Sequence, residues 1–119
     1  MTTLEQQLDS LRTQFTEHAA KRIVEMRQLL GDLRADRTNF EALRLLRAHF
    51  HSFAGLGTTY GHPRATELGA AGEGLASNLL RQEEAPTDDL IATWQRLVDS
   101  LAAEIASLPP SGVRVTAGH

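Results

Sequence analysis

The fold of this chain is decided by Leu43–Gly61, L-R-L-L-R-A-H-F-H-S-F-A-G-L-G-T-T-Y-G, which carries two of its five histidines. On a helix advancing about 100° per residue, Ala42, Leu46, His49, Phe53 and Leu56 fall on one side, with Leu43 and Phe50 on its flank. That spacing predicts a buried face. His51 falls nearly opposite, on the side of Arg44 and Arg47 and with Gly55 one turn further on, so its imidazole is expected to face water.

Upstream, Thr2 or Thr3 can cap a first helix, with Glu5 or Gln6 as the capping-box partner. Leu4, Leu8, Leu11, Phe15, Ala19, Ile23, Met26, Leu29, Leu30 and Leu33 then follow at helical steps to about Ala35. A span this long predicts a break near Thr16 to His18, leaving an extra N-terminal helix or helical extension before a bundle helix. Thr38, with Glu41 three residues on, is expected to cap the central helix.

Downstream, Gly61-His62-Pro63 reads as a turn, with Pro63 set for the first position of a third helix and His62 as a turn or capping residue. Ala65, Leu68, Ala71, Leu75 and Leu79 form its stripe. Gly69, Gly72 and Gly74 each cost up to about 1 kcal/mol relative to Ala inside a helix, so close helix packing is expected for at least two of them. Thr87 caps a fourth helix with Asp88 and Asp89 in its first turn and Leu90, Ile91, Trp94, Leu97, Val98, Leu101 and Ile105 on its core face. The predicted fold is all-α: an antiparallel up-down-up-down four-helix bundle. Its core helices are expected near residues 19–35, 39–56, 63–82 and 87–107. Residues 1–108 form the domain, and Pro109-Pro110 opens a tail or linker over 109–119.

Composition narrows the function classes. Aromatics are only 5% of residues, so the core is aliphatic, which suits helices. With no cysteine there is neither a disulfide framework nor a thiolate metal site. The net charge is −3 and the basic residues are dispersed, which argues against a nucleic-acid partner. No apolar run approaches a membrane span and no leader is evident, so cytoplasm is the default expectation. His49 and His51 diverge by about 200° on a helix and cannot share a metal. No nucleophile motif or phosphate-binding loop is present either.

His51-Ser52-Phe53-Ala54-Gly55, followed by Gly57 and Gly61, resembles the signature of the histidine-containing phosphotransfer (HPt) domain, and the resemblance extends to the four-helix layout over roughly Leu4 to Leu108. It implies that His51 is a phosphoacceptor in a two-component phosphorelay, exchanging a phosphoryl group with aspartates of receiver domains. Those partners would belong to response regulators or a hybrid histidine kinase. Such a domain has no kinase activity of its own and binds no cofactor; Mg²⁺ is expected on the receiver. The family often places Gln or Glu twenty-two residues after the histidine, here Glu73, to orient the ring. The departure is Ala54, where the family usually has Lys. Arg47 and Arg44 could substitute a guanidinium for it, or be only a solvated charged face. Gly55 would leave room for a receiver, and Leu56 and Tyr60 are candidates for its docking patch. The alternative is a bundle that kept the fold and lost the chemistry, serving as an interaction or dimerisation module.

Overall fold

The computed structural model describes residues 3–57 and 61–106, which form four α-helices and no strand. These are α1 (Leu4–Ala35), α2 (Phe40–Leu56), α3 (Pro63–Gln82) and α4 (Asp88–Ala106). Residues 109–119, expected to form a tail or linker, lie outside the described residues, as does Tyr60. None of the described helices is long and apolar enough to cross a membrane.

Local chemistry sets the ends. Thr3 and Gln6 make a reciprocal capping box at the start of α1, each side chain bonding the other's backbone N–H. The expected break near Thr16 to His18 is absent: α1 runs unbroken for 32 residues. No glycine or proline occurs between Leu4 and Leu30 to interrupt it, and the Thr13 and Thr16 hydroxyls bond back to the Asp9 and Arg12 carbonyls within the helix. At α2 the cap is Asn39, whose side chain accepts from Ala42 N–H, and not the expected Thr38. Thr38 is instead held by the Asp36 carboxylate through both its N–H and its hydroxyl. Pro63 opens α3 and Thr87 accepts from Leu90 N–H to cap α4, both as the sequence predicts.

The helices enclose one core, with contacts closing a ring from α1 to α2, α3, α4 and back to α1. Trp94 lies at its centre, fully buried, and its indole N–H donates to the Gly72 carbonyl at 3.3 Å, so the large ring carries no orphaned donor inward. Along α2, Leu43, Leu46, Phe50 and Phe53 are buried, whereas His49 is half-buried and Leu56 exposed. The buried face is thus rotated from the expected stripe towards Phe50. The cause lies on α3: an added Cβ at Gly69 would stand 2.5 Å from Ala54 N and 2.7 Å from the Phe50 carbonyl, and one at Gly72 would stand 2.4 Å from the Phe50 ring. Two of the three helical glycines therefore bring α3 hard against α2, and Gly74 does not, having open space around it.

His62 occupies the N-cap position of α3 but makes no side-chain cap bond. It is buried and stacked on Phe15 of α1 with ring centroids 5.6 Å apart, and its Nδ1 has no hydrogen-bond partner. Burial holds this imidazole below its ordinary value of 6.5 against the opposing pull of Glu104. The unfolded chain therefore binds the proton first as pH falls below 6.5, and stability drops until the lowered folded value is passed. The half-buried His49 is lowered as well and adds to the same trend. The urea midpoint is expected to be lower at pH 5.5 than at pH 7.5, with a smaller difference in His62→Phe, which keeps the stack and removes the titration. An equal midpoint at both pH values in the unmodified chain would overturn this assignment.

Candidate functional site

The candidate site is built where α2 and α3 approach most closely. Phe50 faces the core and fixes the rotation of α2, so its neighbour His51 projects outward, with 67% of its side chain exposed. On α3, Gly69 lies one turn before Glu73 and Gly72 immediately before it, so the contact that brings the two backbones together also carries the Glu73 carboxylate to the level of His51. Glu73 Oε2 stands 2.7 Å from His51 Nδ1. Only 24% of the Glu73 side chain is exposed, which narrows its choice of rotamer more than at an open surface.

This contact fixes the tautomer. An ionised carboxylate accepts and cannot donate, so Nδ1 carries the hydrogen and donates it. The lone pair of the neutral ring is then at Nε2, on the solvent side of an exposed imidazole. His49 has the opposite arrangement. Its Nδ1 lies 3.1 Å from Arg22 Nη1, which can only donate, and its Nε2 lies 3.3 Å from Glu25 Oε1. With 15% of its side chain exposed and both nitrogens engaged by α1, His49 is a hydrogen-bonded packing residue that offers no free lone pair.

Of the two arginines singled out in the sequence, the structure brings one to the site. Arg47, one turn before His51, places Nη1 3.7 Å from Glu73 Oε2. Arg44 turns back along α2 to Glu41, with nitrogen–oxygen distances of 3.4 Å, and is not part of the His51–Glu73 cluster. Gly55 is exposed and a Cβ there would meet nothing within 4 Å, so no internal packing demands glycine at that position. Gly74, beside Glu73 in the chain, is equally open. The sequence reading expected close packing for at least two of the three glycines, without saying which, because spacing alone does not separate them. No group of three or more His, Asp or Glu side chains able to hold a metal occurs among the described residues.

Comparison with family models, with curated proteins and with solved structures returns no significant match. The reading of the site therefore rests on its geometry and on the local motif.

The arrangement leaves Nε2 as the nucleophilic nitrogen of the exposed His51 ring. A single carboxylate orients the ring, Gly55 one turn on carries no side chain, and the Arg47 guanidinium sits one turn before it.

Proposed function

We propose that this chain is a histidine phosphotransfer module in which His51 accepts and returns a phosphoryl group in exchange with receiver-domain aspartates. The observation that carries the reading is the His51 Nδ1–Glu73 Oε2 contact of 2.7 Å on an exposed ring, since it leaves Nε2 as the outward nucleophile. In the forward step the Nε2 lone pair bonds to phosphorus while the acyl P–O bond of the aspartyl phosphate breaks. The electron pair leaves with the receiver's carboxylate. Nδ1 keeps its hydrogen, and the positive charge that develops on the ring is met by Glu73. Mg²⁺ on the receiver would neutralise the phosphoryl oxygens. Arg47, with Nη1 3.7 Å from Glu73 Oε2, would supply a guanidinium in place of the Lys usual where this chain has Ala54.

The bundle is read as antiparallel, up-down-up-down. This is supported by the ladder of polar contacts in which Arg27, Arg34 and Arg37 of α1 and its following turn meet Asp99, Gln95 and Asp88 in reverse order along α4. A cytoplasmic location fits receiver partners. The second reading is an interaction bundle without chemistry, and Ala54 together with the engagement of Arg47 by Glu73 favours it.

The test is incubation with a phosphorylated receiver and search for an acid-labile, base-stable label on this chain; its absence with every cognate receiver would leave the interaction bundle. Glu73 is separable from His51 by its own variants. Glu73→Ala is expected to slow labelling by roughly tenfold, softened where water replaces the acceptor. Glu73→Gln, whose amide oxygen still accepts from Nδ1–H, should stay close to the unmodified rate. Equal rates for all three proteins would remove Glu73 from the site.

A further inference from the structure

Between α1 and α2 the bundle leaves a groove of about 260 Å³. Ser52, Phe53 and Leu56 form its α2 wall, about 100° to 200° around the helix from His51. The α1 wall divides by chemistry. Phe15, which also stacks on His62, and Ala19 are buried and give the groove an apolar floor, with Leu11 at one end. Gln14, His18 and Arg22 follow one another at steps of four and form a polar rim. From Leu11 to Arg22 the wall spans eleven residues, about 16 Å of helix.

Arg22 is half-buried and pairs with no carboxylate among the described residues. Its partner is a neutral acceptor: Nη1 donates to His49 Nδ1 at 3.1 Å, while His49 Nε2 is engaged by Glu25 Oε1 at 3.3 Å. Burial and then the Arg22 charge hold His49 below its ordinary value of 6.5, against the pull of Glu25. Glu25 thus orients the imidazole, and the imidazole anchors the guanidinium between the two helices that wall the groove. The other N–H groups of the fork meet no acceptor among the described residues. A cation partly withdrawn from water in this way is stabilised by a counter-charge.

No acidic side chain lines the groove, in a chain of net charge −3. Gln14 and His18 add N–H donors beside the guanidinium, so donors gather towards Arg22 and hydrocarbon towards Leu11 and Leu56. A guanidinium takes a carboxylate through two parallel bonds, and one cation balances one negative charge, which favours a carboxylate over a phosphate dianion. The volume lies below the roughly 300–1,000 Å³ of sites for drug-sized ligands, which limits the rest of the ligand to a short chain or a single ring.

We infer that the groove between α1 and α2 binds a small apolar monocarboxylate, with its carboxylate on Arg22 and its hydrocarbon body over Phe15, Ala19 and Phe53. The tests have no phosphorylation readout and are independent of the role of His51.

Octanoate is the probe. Titrated into the full chain and followed by amide chemical shifts, it is expected to give a saturable response centred on residues 14–22 and 52–56. 1-Octanol has the body without the charge, and acetate the charge without the body. Each should bind the unmodified chain at least about tenfold more weakly than octanoate. Arg22→Gln should weaken octanoate by about tenfold and leave octanol unchanged, and Arg22→Lys, which keeps the charge and loses the fork, should fall between. The three-ligand comparison needs no variant to fold. No saturable response up to millimolar octanoate overturns the proposal. So does equal affinity for octanol and octanoate, which would make the groove a cleft indifferent to charge, and so does a response centred on other residues.

Discussion

His51→Gln is expected to reduce phosphoryl labelling to background while leaving the fold intact. Glutamine keeps a polar side chain that can still reach Glu73, but its amide nitrogen has no lone pair free for attack at phosphorus. The side chain is two-thirds exposed and faces away from the core, so the substitution should change stability by no more than about 0.5 kcal/mol. His49→Gln is the matched control, two residues away. It should retain the label and lose stability, because it vacates a half-buried ring held by Arg22 and Glu25. Denaturation midpoints and label measured on the same samples separate the two roles. Label that persists in His51→Gln and disappears in His49→Gln would assign the nucleophile to the wrong side of α2.

These opposite expectations for two histidines follow from helical phase, which is why so much of the site was legible in the sequence. A residue's side of a helix is set by its index, so His51 outward and His49 inward could be read before any contact was known. The 2.7 Å contact with Glu73 is a different case. The residue was picked out by its offset from His51 in the resembled motif, and only the packing of α3 on α2 accounts for its reach. Helix ends were legible at Thr87, which had a single capping option, and at the start of α1, where of Thr2 and Thr3 it is Thr3 that caps. They were misread at Thr38, where the next residue, Asn39, caps instead by accepting from Ala42 N–H and Asp36 captures the threonine. The break expected in α1 rested on a typical length for bundle helices, and nothing in the residues themselves demanded it. Burial of His62 was illegible because its stacking partner, Phe15, is forty-seven residues away, and no local pattern encodes that distance.

The glycines of α3 supply the second large effect, and they connect packing to the site. Gly69→Ala is expected to destabilise the chain by about 2 kcal/mol net, lowering the thermal midpoint by roughly 10 °C. Alanine gains up to about 1 kcal/mol of helix propensity, but its Cβ would stand 2.5 Å from Ala54 N and 2.7 Å from the Phe50 carbonyl. Those atoms are backbone and cannot rotate aside, so the strain is relieved only by moving α3 away from α2. Gly74→Ala is the counter-experiment: with nothing within 4 Å it collects the propensity gain alone and should raise the midpoint by a few degrees. The two substitutions also part at His51. Separating the helices draws Glu73 away from Nδ1, so folded Gly69→Ala protein should label as slowly as Glu73→Ala although it lacks no chemical group. Gly74→Ala leaves the helix spacing unchanged and should label at the unmodified rate. A Gly69→Ala protein as stable as the unmodified chain would mean that α3 is not pressed on α2 at this point. A destabilised one that labels normally would mean that the His51–Glu73 contact does not depend on the glycine approach.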